Sequence, residues 1–314
     1  MIISASRRTD IPAYYSEWFF NRLKEGFVLI RNPMNFHQIS KIDLSPSIID
    51  GIVLWTKNPS PMLHRLKELA PYDFYFQFTL NAYGKDVEPN LPEKSRHLIP
   101  VFQKLASLVG KERVIWRYDP IFFNAKYTLD YHCKYFERLA QKLYQSTEKC
   151  TISFLDFYPH TRKNTASLGL EQMTNDKQTE LLERFSQIAY NTGLTIDTCA
   201  EQGSFEQLGI LPAHCIDKER FERLAKCKLS LKKDATQRPE CGCCSSVDIG
   251  AYDNCQNACL YCYANRSLQS IRKNAKKHDP ASPLLLGHIE ENDHLTKRPV
   301  RSYKNPQLSF DDFQ

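Results

Sequence analysis

Short runs of β-branched and aromatic residues alternate along the chain with longer amphipathic stretches of helical period. The apolar runs are Ile2–Ser6, Phe27–Arg31, Gly51–Thr56, Phe74–Leu80, Arg113–Tyr118, Thr151–Phe157 and Leu194–Cys199. Their alternation with the longer stretches predicts repeated strand–helix units. Between them, Tyr15–Glu25, Pro61–Leu69, Ser95–Val109, Tyr131–Tyr144, Glu171–Thr192 and Asp217–Lys226 predict helices. Seven strands, most followed by a helix, predict an α/β fold of the parallel (β/α) barrel type. An eighth candidate, Ser245–Tyr252, runs straight into a cysteine-rich loop, and a helix is expected from Asn265 to Lys277. The stretch from Lys276 to Gln314 is polar, holds several prolines and charges, and contains Phe310-Asp311-Asp312-Phe313. It predicts an extended arm, packed on the barrel or partly disordered. The expected division is a barrel over 1–275, with its cysteine-rich region at 199–262, and a C-terminal arm over 276–314.

Composition narrows the class. A chain of 314 residues buries a large single core. It has no run of about 18 apolar residues, so no membrane span is expected. The start, Met-Ile-Ile-Ser-Ala-Ser-Arg-Arg, lacks a signal-peptide layout, and a cytoplasmic location is expected. Eleven cysteines in such a chain point to metal ligation rather than disulfides. The net charge of +6 permits an anionic substrate or nucleic acid without demanding either. There is no internal repeat, no Walker-type phosphate loop and no Ser–His–Asp signature.

Three of the cysteines stand in Cys255-Gln-Asn-Ala-Cys259-Leu-Tyr-Cys262. That spacing places three thiols on one tight loop, too short to supply a fourth with the same geometry. Three thiolates on a four-iron cluster leave one iron without a protein ligand, and there chemistry can occur. Zinc sites mostly use two separated cysteine pairs, or cysteines with histidines; a structural zinc loop or unligated thiols are the plainer readings. A second set is expected where Cys199, at a strand end, and Cys215, in a loop, meet Cys241-Gly242-Cys243-Cys244. Cys199, Cys215, Cys241 and Cys243, with Cys244 as substitute, would close a second iron–sulfur cluster or a four-cysteine zinc site. Cys133, Cys150 and Cys227 read as small buried residues.

In a parallel barrel, reactive groups gather at the C-terminal strand ends. Four such ends are rich in them: Ser4 to Asp10, Trp55 to Asn58, Gln77 to Asn81 and Arg117 to Asp119. Lys57, Arg117 and Asp119 either contact an anionic ligand or pair between adjacent strand ends. Asp10, before Ile-Pro, either binds a ligand or caps a turn. Glu201 has the same two readings. Asp156 and Tyr158 suit hydrogen-bonded structure, and His160 and His214 suit the surface.

The three-cysteine loop, with the aromatic Tyr261 before its last cysteine, resembles the motif of the radical S-adenosylmethionine (SAM) enzymes. The resemblance implies a [4Fe–4S] cluster on Cys255, Cys259 and Cys262 whose open iron is chelated by the amino and carboxylate groups of SAM. It implies reductive cleavage of SAM to methionine and a 5′-deoxyadenosyl radical that takes hydrogen from a substrate, which the resemblance does not name. An external electron donor such as flavodoxin or ferredoxin is implied as a partner. In that family the loop follows the first barrel strand; here it comes last. A circular permutation accounts for this, with Ser245–Tyr252 as strand one and Ile2–Ser6 as strand two; the alternative is a partial barrel with an appended cluster domain. The family's Gly-Gly-Glu segment is missing, and Ser6-Arg7-Arg8-Thr9-Asp10 takes its place. Asp10 or Ser6 would then accept from the SAM ammonium, and Arg7 or Arg8 would pair with a carboxylate.

The segments Trp55-Thr56-Lys57-Asn58-Pro59, Phe76-Gln77-Phe78-Thr79-Leu80 and Trp116-Arg117-Tyr118-Asp119-Pro120 resemble the layout of the spore-photoproduct-lyase-like branch, which implies DNA repair as one substrate class. Taken together, the Ser-Arg-Arg-Thr-Asp-Ile-Pro start, the two Trp-containing segments and the cysteine-rich end resemble the DUF1848 family up to about Asn274. That resemblance brings no substrate. The contrasting expectation is a non-catalytic iron–sulfur or zinc protein used for redox sensing or nucleic-acid contact.

Overall fold

The structure, a computed structural model, describes residues 1–305. Its strands are β1 (Ile2–Ala5), β2 (Phe27–Arg31), β3 (Gln38–Asp43), β4 (Gly51–Thr56), β5 (Phe74–Thr79), β6 (Val114–Ile121), β7 (Lys149–Phe154), β8 (Thr195–Thr198), β9 (Leu211–Pro212), β10 (Val247–Asp248) and β11 (His294–Lys297). Eight of them form one sheet in the order β10-β1-β4-β5-β6-β7-β8-β9, and every neighbouring pair is parallel. Among the described residues no ladder joins β9 to β10.

The continuous apolar runs follow from burial on both faces. Alternate side chains Ile2, Val53, Tyr75 and Ile115 enter one apolar cluster, shared with Ala213, Cys215, Ile216 and Phe221. Their neighbours Ile3, Ile52, Leu54, Phe76 and Trp116 enter the main core against the helices. The period of two therefore sends each strand's residues to two different apolar surroundings, and neither face of the strand needs polar residues.

The helices occupy the predicted stretches with capped ends. Thr174 takes the N-cap of the Asn175–Thr192 helix, so it starts later than Glu171, and Gly193 closes it in the left-handed region. The stretch 61–69 is a 3₁₀ helix, Ser60–Leu69, and 95–109 is a π turn, Lys94–Leu98, running into an α-helix, Ile99–Val109. The expected helix at 265–277 is shorter, Leu268–Ala275, because Ser267 caps it.

Three differences from the sequence reading matter. First, Phe27–Arg31 is not a strand of the large sheet. It pairs antiparallel with β3 in a separate three-stranded sheet completed by β11. Second, the place it was given goes to β9, two exposed residues with no apolar run to mark them. Third, Ser245–Tyr252 shortens to β10, because Gly250 and the positive φ of Asp253 (59°) turn the chain. A Cβ on Gly250 would lie 2.0 Å from Ser6 Oγ, so this close approach requires glycine.

Strand β10 nonetheless lies parallel to β1, pairing Ile3 with Val247 and Ser4 with Asp248. The C-terminal strand and the N-terminal strand are thus neighbours in one sheet. The described part of the arm is packed as well: β11 pairs with β3, the Met1 ammonium donates to the Arg301 carbonyl at 3.0 Å, and Ser302 Oγ donates to Asp50 at 2.5 Å. Phe310-Asp311-Asp312-Phe313 lies outside the described residues. Among the described residues, no helix is long and apolar enough to cross a membrane.

Candidate active site

Because all eight strands run in one direction, their C-terminal ends open on one side. A cavity of about 510 Å³ lies there. Its lining includes Ser6, Arg7, Arg8, Asp10, Lys57, Arg117 and Asp119, and also Cys199, Cys215, Cys241, Cys243, Cys255, Cys259 and Cys262. The seven cysteines and seven polar residues just named thus reach the same space. Cys244 is not in that lining: its N–H donates to Ile216 O at 3.0 Å and its side chain joins the apolar cluster.

The three-cysteine loop is held from several sides. Ala258, at φ 54°, turns the chain after Cys255, and Cys262 N–H donates to Cys259 O at 3.1 Å. Tyr14 Oη donates to Asn257 Oδ1 at 2.8 Å, Tyr15 Oη to Asn254 O at 2.9 Å, and Asn265 Nδ2 to Cys255 O at 3.1 Å. Leu260 N–H donates to Val87 O at 3.0 Å, tying the loop to the segment after β5. Burial pushes all three thiols up to about 12, so ligation here would release protons.

The second cysteine set comes together from three segments. Cys199 follows β8, Cys215 follows β9, and Cys241 and Cys243 precede β10. Cys215 Sγ is 3.2 Å from Cys199 Sγ. Cys243 in turn interacts with both Cys215 and Cys241. Arg117 Nη1 donates to Cys215 Sγ at 2.9 Å, and Ile216 N–H donates to Cys243 Sγ at 3.3 Å. Contact with Cys199, Cys243 and Arg117 holds the Cys215 thiol well below its ordinary range, while Cys199, its hydrogen-bond partner, is pushed well above it. Cys243 holds Cys241 down to about 6. Neither set has its sulfurs drawn in around a point: among the described residues no three His, Cys, Asp or Glu side chains stand as they would around a metal ion. In residue type, spacing and shared exposure to the cavity, the three-thiol loop fits a cluster with one open iron.

The polar residues sort differently from the expectation. Asp10 caps the Ile11–Tyr14 helix through Ala13 N–H and also accepts from Lys57 N–H at 2.7 Å and Asn257 Nδ2 at 2.8 Å. Its oxygens are therefore engaged within the protein, and burial raises its pKa despite these bonds. Ser6 Oγ donates to Asp248 at 2.6 Å and accepts from Arg8 N–H. Both residues thus help to build the turn after β1, and Asp10 fills the capping role. Lys57 Nζ donates to Glu88 at 2.9 Å and to Tyr261 Oη at 2.7 Å, and Lys94 Nζ reaches Glu88 at 2.5 Å. Burial opposes the Glu88 charge, but these two ammoniums hold its carboxyl down to about 2. Arg117 pairs with Asp119 at 2.6 Å, the ion pair between neighbouring positions.

Two cations remain less committed. Arg7 lies over Trp55 at 5.7 Å, and its Nη2 is buried with no hydrogen-bond partner. Arg8 lies over Tyr252 at 4.9 Å, with its Nε 4.0 Å from Asp248. Glu201 accepts from Phe154 N–H at 2.8 Å, reaching back to the end of β7 rather than capping the next element, and burial lifts its carboxyl to about 7. His160 is engaged with the Tyr263 carbonyl at 2.8 Å, whereas His214 is exposed. Asp156 pairs with Arg238 at 2.8 Å. Cys133 and Cys150 are buried, and Cys227 is half-buried.

Sequence reasoning missed Glu88, Lys94 and Asp248. Asp248 carried a signal, an acid at the end of a candidate strand. Glu88 and Lys94 carried none, since they lie in a stretch without strand or helix period.

A family model described as a domain of unknown function (DUF1848) matches residues 2–264. No curated protein matches the chain. A candidate alpha-L-fucosidase from Bacteroides thetaiotaomicron VPI-5482 is similar in structure at a TM-score of 0.27 and 12% identity, over 68% of this chain and 80% of that one. A broad-specificity endoglucanase from Clostridium longisporum is similar at 0.23 and 13%, over 52% and 70%.

Proposed function

We propose that this chain, which belongs to the DUF1848 family, is a radical SAM enzyme built on a circularly permuted (β/α) barrel. The observation that carries this reading is the position of Cys255, Cys259 and Cys262: three thiols on one pinned loop, lining a cavity at the C-terminal strand ends. The pairing of β10 with β1 supports the permutation, since it puts the strand before the loop beside the N-terminal strand.

Cys255, Cys259 and Cys262 would hold the [4Fe–4S] cluster, which when bound supplies the electron that cleaves SAM reductively. The protein's own part is placement and charge. Lys57 sits close enough to Cys259 for their charges to interact, and it offsets negative charge brought by the loop. Through Glu88 and Tyr261 the same ammonium fixes the aromatic side chain before Cys262. Arg8, whose nearest carboxylate among the described residues is Asp248 at 4.0 Å, would receive the carboxylate of SAM. Trp55, Phe154 and Leu155 provide apolar wall that excludes water from the reacting groups. The test is anaerobic reconstitution with iron and sulfide, then assay for 5′-deoxyadenosine with SAM and dithionite. Formation that needs all three loop cysteines is expected. An intact cluster that yields none under reduction would sink the reading and leave a non-catalytic metal protein.

A further inference from the structure

We propose that Cys199, Cys215, Cys241 and Cys243 form a second, fully protein-ligated thiolate metal centre, and that Arg7 and Arg117 are its charge partners. This does not rest on the radical SAM reading, because the residues, segments and ligand count are separate.

Three chain segments far apart in sequence are brought to one place and fixed there by their backbones. Tyr75 Oη and Gln77 Nε2, both from β5, donate to Cys215 O at 2.8 Å each. Cys199 N–H donates to Ile152 O at 2.8 Å, and Cys241 N–H to Arg238 O at 3.0 Å. Cys215 Sγ lies 3.2 Å from Cys199 Sγ, and Ile216 N–H ties Cys243 Sγ to the residue after Cys215, so a metal would draw together thiols that already line one cavity. N–H groups already point at sulfur: Ile216 N–H at Cys243 and Arg117 Nη1 at Cys215. Such bonds are the ordinary second layer of a thiolate site.

The independent observation is Arg7. Its Nη2 is buried without a hydrogen-bond partner among the described residues, and Arg7 lines the same cavity as all four of these cysteines. A buried guanidinium N–H is costly unless an acceptor comes to it. Four neutral thiols make poor acceptors. Four thiolates on zinc or on an iron–sulfur cluster carry net negative charge and supply that acceptor. Zinc and iron–sulfur share this donor chemistry, and the metal content tells them apart.

The experiment uses the full chain, purified without oxygen, with Cys255→Ala, Cys259→Ala and Cys262→Ala combined. Folded by circular dichroism, it should retain about one zinc, or about four irons with matching sulfide. Adding Cys243→Ser should remove that metal. A folded triple variant holding neither zinc nor iron overturns the proposal. If the triple variant does not fold, the wild type is compared with Cys243→Ser alone: loss of one centre supports the site, and equal metal content overturns it. Arg7→Gln should weaken metal retention against a chelator about tenfold; unchanged retention would remove Arg7 from the site. Failure of SAM cleavage in the wild type, with the second metal retained by the triple variant, would sink only the radical SAM reading.

Discussion

Glu88 is a buried carboxylate between two lysines, and its value to the fold lies in pairing with both. Glu88→Gln keeps the shape but leaves the Lys57 and Lys94 ammoniums without their counter-charge, a loss on the order of 3–5 kcal/mol for a broken buried pair. Urea denaturation should show the midpoint falling sharply. His132 offers a pH test at the same scale. It is buried between Tyr118 Oη and Phe122 O, each 2.9 Å away, and burial holds its pKa down to about 4. The neutral ring is the form that fits, so its contribution is complete above the unfolded value near 6.5 and is lost as pH falls towards 4. Wild type should therefore lose up to about 3 kcal/mol across that interval relative to His132→Gln. Parallel pH profiles of the two proteins would contradict this.

At the scale of elements, the junction between β1 and β10 is where the site is assembled. Asp248 ends β10 and accepts from Ser4 at 2.9 Å, Ser6 and Arg7 N–H at 2.8 Å, so one carboxylate joins the last large-sheet strand to the turn after the first. Gly250 permits the approach. Gly250→Ala would force its Cβ onto Ser6 Oγ, with an overpacking cost of about 1–3 kcal/mol. Because the cysteine loop leaves from this junction, reconstituted iron per chain should fall along with stability. Full iron content in a folded Gly250→Ala protein would show that the loop does not depend on the junction.

Considered as a whole, the molecule carries a second, smaller sheet that covers the first helix region and takes its third strand from the arm. Ending the chain after Asp293 removes β11 and the Ser302 and Tyr303 donors to Asp50. Asp50 keeps the Met1 ammonium but loses these two donors, at roughly 1–3 kcal/mol for each lost buried bond, so the melting temperature should drop by several degrees. Among the described residues the cavity lining contains none beyond Asn265, so metal content after reconstitution should be unchanged. Loss of metal with the arm would show that the two parts are coupled.

Much of this was written in the linear chain. Continuous apolar runs such as Ile2–Ala5 and Phe74–Thr79 announce strands buried on both faces, since only that environment tolerates them. Strand direction then sends Arg7, Lys57 and Arg117 to one side, and cysteine spacing marks Cys255, Cys259 and Cys262 as a unit. Tertiary structure alone decided the rest, because pairing and charge balance depend on neighbours that are remote in sequence. An apolar pentapeptide, Phe27–Arg31, is equally content in either sheet, and the two exposed residues of β9 become a strand only because β8 offers them a free edge. For Asp10 the sequence left ligand and cap open, and only folding brought Asn257, 247 positions away, against one of its oxygens. Glu88 had no visible partner until folding set two lysines and a tyrosine against it.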